Sequence, residues 1–126
     1  MRSTHLPAIL ALMPTEVQNG IREVNKMTSA GSQSTTINTT ADKLFLLSEI
    51  EIFGSVSYSK SGEGTQYDYY KAGNSKVKNY SGSANNWWGR SPFGGNSAIF
   101  CNVISNGIAY YNSASFAGGV AFGFCF

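Results

Sequence analysis

Asn86-Trp87-Trp88-Gly89-Arg90-Ser91-Pro92 divides this 126-residue chain into two chemically different parts. Arg90 is the last charged residue, and positions 91–126 carry no Asp, Glu, Lys or Arg. That segment nevertheless holds Phe93, Phe100, Tyr110, Tyr111, Phe116, Phe122, Phe124 and Phe126 among Gly, Ser and Asn. Disordered low-complexity sequence is short of aromatics, so the segment is expected to fold, as a β-rich part with long turns. Consecutive strand residues face opposite sides of a sheet, so Trp87 and Trp88 do not enter the same core. One packs; the other lies beneath a loop layer or stands out as an anchor. Arg90 either braces a loop through backbone carbonyls or pairs with a carboxylate from the N-terminal half.

Downstream, strands are expected near 98–104, 107–112 and 118–124, with Ser105-Asn106-Gly107 supplying the turn between the first two. In the last strand Val120, Phe122 and Phe124 share one face, and Ala121, Gly123 and Cys125 the other. Upstream, Leu6, Ile9, Leu10, Met13 and Val17 recur at helical spacing, with Ser3 or Thr4 to cap and Pro7 in the first turn. Pro14 breaks the pattern into two short helices, about 4–13 and 15–21. A short strand follows around 22–27. Residues 28–41 are mostly Ser, Thr, Gly, Asn and Gln, with no apolar residue larger than Ile37, and read as a loop. Lys43-Leu44-Phe45-Leu46-Leu47 reads as a buried strand. Ser48 with Glu51 forms a capping box opening a helix at 48–53 that ends on Gly54. Ser55–Thr65 is a second loop, and Gln66–Gly73 a further short helix. The result is one α+β domain: a helical start (1–27), a loop-rich middle (28–86) and a β-rich segment (87–126). Short helices are expected on one side of a small twisted antiparallel sheet, with a loop-rich face.

Charged residues make up 13% of the chain, about half the usual quarter. With a net charge of +2 the chain is no polybasic nucleic-acid binder. No apolar run approaches the ~18 residues that span a bilayer, and the N-terminus lacks a small-residue cleavage site after its apolar stretch. Neither a signal peptide nor membrane insertion is expected. No metal site or cofactor is expected, because the single histidine, His5, and the two cysteines, Cys101 and Cys125, show no ligand spacing. No catalytic set emerges, and an enzyme is not expected. Glu49 and Glu51 stand two apart on a short helix and read as solvated, and Ala117-Gly118-Gly119 lacks the Lys of a phosphate loop. Cys101 and Cys125 fall on strands that could lie side by side, either as a disulfide or as two packed thiols.

Ile99, Ile104, Ile108, Tyr110, Tyr111 and Phe116 interrupt an Asn/Ser/Gly background. Tyr among small polar residues is the composition of evolved paratopes; the same residues would equally fill the core of a small sheet.

The strings Asp42-Lys43-Leu44-Phe45-Leu46-Leu47-Ser48-Glu49, Gly62-Glu63-Gly64-Thr65-Gln66-Tyr67, Asn86–Pro92, Phe100-Cys101-Asn102-Val103 and Gly119-Val120-Ala121-Phe122-Gly123-Phe124 resemble a family of uncharacterised domains from gut bacteria and their phages. That family resembles the C-type-lectin-like variable proteins of diversity-generating retroelements. Its usual pattern is Trp-Trp-Leu-Arg-Ser-Pro; Gly89 here replaces the Leu, leaving a void or a position open to variation. Family members tend to carry a further N-terminal segment, so this chain reads as a truncated or minimal copy. Calcium-lectin signatures are missing. Adenine mutagenesis of Asn codons can reach Ile, Tyr, Phe, Ala, Gly and Ser but not Lys, Glu, Gln, Met or Trp, and none of those five occurs in 92–126.

The resemblance implies a ligand-recognition domain with a diversifiable C-terminal surface built from Gly89, Ala98, Ile99, Ile104, Ile108, Tyr110, Tyr111 and Phe116. Its partner would be a protein or a surface glycan, and its place a phage tail or bacterial surface protein, as an oligomer or within a parent tail protein. The alternative is a purely structural virion or assembly module.

Overall fold

The computed structural model describes residues 1–126. Helices α1 (His5–Ala11) and α2 (Thr15–Gly20) meet at Pro14, whose extended backbone (φ −53°, ψ 143°) opens the second helix. Thr4 stands at the start of α1 without a side-chain capping bond. Strands β1 (Val24–Ser29) and β2 (Ile37–Asp42) then form an antiparallel ribbon from Val24–Asp42 to Ser29–Ile37. The expected loop at 28–41 is therefore half strand. Threonine's β-branch suits a pleated ribbon with one wet face, so an exposed strand reads as polar loop when only apolar runs are sought.

Next come β3 (Phe45–Leu46), α3 (Glu49–Phe53) and α4 (Asp68–Lys71). The capping box at α3 is complete: Ser48 Oγ accepts from the Glu51 N–H, the Glu51 carboxylate accepts from the Ser48 N–H, and Gly54 closes the helix at φ +77°. A small hairpin, β4 (Lys78–Tyr80) and β5 (Ser83–Asn85), precedes β6 (Trp87–Pro92). Strands β7 (Ile99–Val103) and β8 (Ala109–Ser113) follow, joined by the expected turn with Gly107 at φ +86°.

The expected strand at 118–124 is two short pieces, β9 (Gly119–Val120) and β10 (Phe122–Gly123), in different sheets. β9 runs parallel to β6, so the main sheet is mixed, in the order β8-β7-β6-β9, whereas β10 pairs antiparallel with β3. Glycine permits the switch. A Cβ on Gly123 would stand 2.9 Å from the Phe45 ring. The fold is thus a small α+β domain with short helices and several small sheets.

Adjacent tryptophans give the main sheet two cores, so helices pack on both faces and not on one. Trp87, 2% exposed, joins Ile52, Tyr70 and Val103 from α3, α4 and β7. Trp88 packs on Leu6, Ile21, Leu44 and Leu46, the cluster beneath α1 and α2.

Ser48 caps α3 and also donates from Oγ to the Glu63 carbonyl at 3.0 Å. Ser48→Ala should cost about 1–2 kcal/mol in urea unfolding. Leu12→Ser, at a side chain 86% exposed, should stay within about 0.5 kcal/mol.

Candidate functional site

The charged residues that looked solvated lie inside. Glu49, Glu51 and Glu63 are 3%, 4% and 0% exposed. Glu51 takes Lys26 Nζ on Oε1 and Arg90 Nη1 on Oε2, each at 2.5 Å. Arg90 uses its remaining donors on backbone carbonyls of Met27 (3.0 and 3.1 Å), Leu46 (2.9 Å) and Glu63 (2.8 Å). Both roles expected for Arg90 are filled at once. Lys26 also donates to Tyr67 Oη at 2.8 Å and sits 4.2 Å from the Phe45 ring centroid. Glu63 accepts the Ser29 N–H at 2.7 Å and the Ser91 hydroxyl, while Ser91 Oγ accepts the Glu49 N–H.

The Glu49 carboxylate reaches outward. It accepts the backbone N–H groups of Ser57, Tyr58 and Ser59 and the Ser59 hydroxyl, at 2.7–3.2 Å. That clasp positions Tyr58, whose ring lies 4.9 Å from Tyr111 and 6.3 Å from Tyr110. Phe93 joins at 4.8 Å from Tyr111, and Tyr110 stacks on Tyr111 at 5.1 Å with 7° between planes. The rings touch one another, so they form a platform rather than an open cage.

Against this geometry the expected surface residues separate. Ile108, Tyr110 and Phe116 are 58%, 44% and 37% exposed, and Ala98 is exposed as well. Ile99, Ile104 and Tyr111 are half-buried. Phe116 meets Trp88 edge-on at 6.0 Å. Gly89 departs from the expectation: it is buried, and a Cβ there would press on the backbone carbonyls of Leu47 (3.0 Å) and Cys101 (3.3 Å). It is neither a void nor a displayed position. β6 must run close to its neighbours here, because Arg90 N–H donates to the Leu47 carbonyl.

Of the two arrangements left open for the cysteines, a disulfide or two packed thiols, the disulfide is not formed. Both cysteines are free. Cys101 is buried in β7 opposite Tyr111, whereas the chain leaves the main sheet after Val120 and Cys125 bridges to Arg22. The strand switch that separates β9 from β10 is what parts them. Burial pushes the Cys101 thiol pKa far up, and the Glu49 and Glu63 carboxylates add to this.

On the other side of the sheet a cleft of about 680 Å³ opens between α1, the β1–β2 ribbon and β6. Nearby on that face Asn102, in register with Trp88, is 3% exposed, and neither side-chain amide atom has a partner. Leaving such groups unpaired costs about 1–3 kcal/mol each. No group of three or more His, Cys, Asp or Glu is arranged to hold a metal ion, and no helix is long and apolar enough to cross a membrane.

Sequence reasoning missed Lys26, Glu63, Tyr58 and Tyr67, and read Glu49 as solvated. The capping box did mark Glu51, but as a local helix signal.

These features define a small α+β domain with an ionic interior and an uncharged aromatic surface. The chain belongs to the family described as a domain of unknown function (DUF6273), whose model matches residues 8–122. No curated protein and no solved structure matches it.

Burial raises the pKa of Glu51, but hydrogen bonds from Arg90 and Lys26 outweigh it and hold the carboxyl below its ordinary 4.5. The stability that Glu51 contributes is therefore complete above about pH 4.5 and lost as pH falls through the lower folded value. Glu63 runs the other way: burial raises it, so its contribution is present below 4.5 and lost as pH climbs through the raised value. Glu51→Gln strands two buried cations and should cost about 3–5 kcal/mol at neutral pH. It should also flatten the acid-side loss in urea midpoints, whereas Glu63→Gln should keep it. For the thiols, native iodoacetamide should label Cys125 alone, with Cys101 reacting only after denaturation, as read by intact mass.

Proposed function

We propose that this domain is a ligand-recognition module of C-type-lectin-like fold. Its charge-free C-terminal surface meets a protein or a surface glycan, on a phage tail or bacterial surface protein. The observation that carries the reading is the exposure of Ile108, Tyr110 and Phe116 on one uncharged hairpin and its following turn. Single exposed apolar residues are ordinary. A set of large rigid side chains beside exposed Asn and Ser is a contact surface, with aromatics for area and small polar groups for adaptation. The C-type-lectin-like part of the reading draws support from the closure of the chain, since the Cys125 segment returns to pair with Arg22 just after the helices. Diversification is supported by the separation of roles: the residues that hold the fold lie at or before Ser91 or face inward, leaving Ala98, Ile108, Tyr110 and Phe116 free to vary.

A second reading, a structural virion or assembly module, draws on the half-buried Ile99, Ile104 and Tyr111 and the contacts of Tyr111 with Tyr58 and Phe93.

A yeast-displayed library randomised at Ala98, Ile108, Tyr110 and Phe116 separates the two. The recognition reading expects most members to resist protease like the parent, each substitution costing about 0.5 kcal/mol or less, and expects binders to be selectable against an unrelated protein such as lysozyme. Widespread loss of protease resistance would leave only the structural module.

A further inference from the structure

We infer that the cleft between α1, the β1–β2 ribbon and β6, a site apart from the C-terminal surface, binds a neutral, polyhydroxylated ring of pyranose size. Its two walls differ in chemistry. One is apolar and aromatic, formed by Leu6, Leu44, Leu46, Trp88 and Phe100. The other is a polar ladder: Asn38, Thr40 and Asp42 alternate along β2, and Thr28 stands opposite Asn38 in register. Residues two apart on a strand share a face, so hydroxyl, amide and carboxylate line up across from the indole.

Part of that ladder is already engaged. Thr40 Oγ1 donates to Asp42 Oδ2 at 2.6 Å, and Arg2 Nε pairs with Asp42 Oδ1 at 2.7 Å. The Thr28 hydroxyl, the Asn38 amide and the His5 imidazole line the cleft with no side-chain hydrogen bond and stay open to a ligand. The charges at the cleft are compensated internally, Arg2 by Asp42 and Arg90 by Glu51. An ionic ligand would find no unpaired Asp, Glu, Lys or Arg side chain there. What fits is a neutral ring with an apolar C–H face for Trp88 and hydroxyls on its edge for the ladder. The volume, about 680 Å³, falls in the range of small-molecule sites.

The test is an ¹H–¹⁵N NMR titration of the full chain with methyl β-glucopyranoside and methyl β-galactopyranoside, with cyclohexanol as the ring that keeps a single hydroxyl. At least one glycoside should give saturable shifts at the Trp88 indole N–H, Thr28 and Asn38, with Kd on the order of 1 mM. Asn38→Ala and Thr28→Val should each weaken binding at least about tenfold, while their own spectra show the fold intact. Ile108→Ala, at an exposed residue outside the cleft, should bind as the parent does, which separates this cleft from the C-terminal surface. Three results would each overturn the inference: no saturable shift with either glycoside, equal binding of cyclohexanol, or shifts confined to Ile108–Phe116.

Discussion

The Glu51 carboxylate takes Lys26 from β1 on one oxygen and Arg90 from β6 on the other, while its own helix α3 lies between their segments in the sequence. Burying three charges is expensive, and the mutual attraction offsets that cost only when every remaining donor and acceptor is met. Here every Arg90 donor is met, and Lys26 uses two of its three beside the Phe45 ring. Arg90 spends its other donors on Met27, Leu46 and Glu63 carbonyls, and Lys26 its second bond on Tyr67. The guanidinium's planar fork makes this possible; an ammonium could not reach three separate carbonyls and a carboxylate together. One side chain therefore sets the distance between β1, β3, α3 and the 55–65 loop.

From that ionic centre a second carboxylate carries order to the surface. Glu49 shares α3 with Glu51, and its clasp on the backbone of 57–59 holds Tyr58 against Tyr110 and Tyr111. The aromatic surface thus rests on a loop whose backbone donors are tied to a buried anion. The division is chemical. Charge is used inside, where it specifies geometry, and the C-terminal segment presents none.

Features governed by near neighbours were legible. The α3 cap, the Pro14 break, the Gly107 turn and the opposite faces of Trp87 and Trp88 each follow from local sterics or pleat. Features set by distant partners were not. Glu49 and Glu51 look solvated because an acidic pair on a short helix normally is; their burial depends on Ser91 and Arg90, about forty positions on. β2 looks like a loop because its apolar content is low, and only β1 opposite makes it a strand. The 118–124 alternation reads as one strand, yet β6 and β3 each claim half of it.

The sequence by itself determined that this is a small α+β domain, where along the chain its short helices lie, and that its last segment is aromatic and free of charge, since these rest on local propensity and composition. Tertiary structure alone decided which carboxylates are buried, that Gly89 is hemmed in by backbone, that Cys101 and Cys125 stay apart, and which aromatic residues reach water. Each of those depends on where a second segment, remote in the chain, comes to lie, and no periodicity within one segment encodes the position of another.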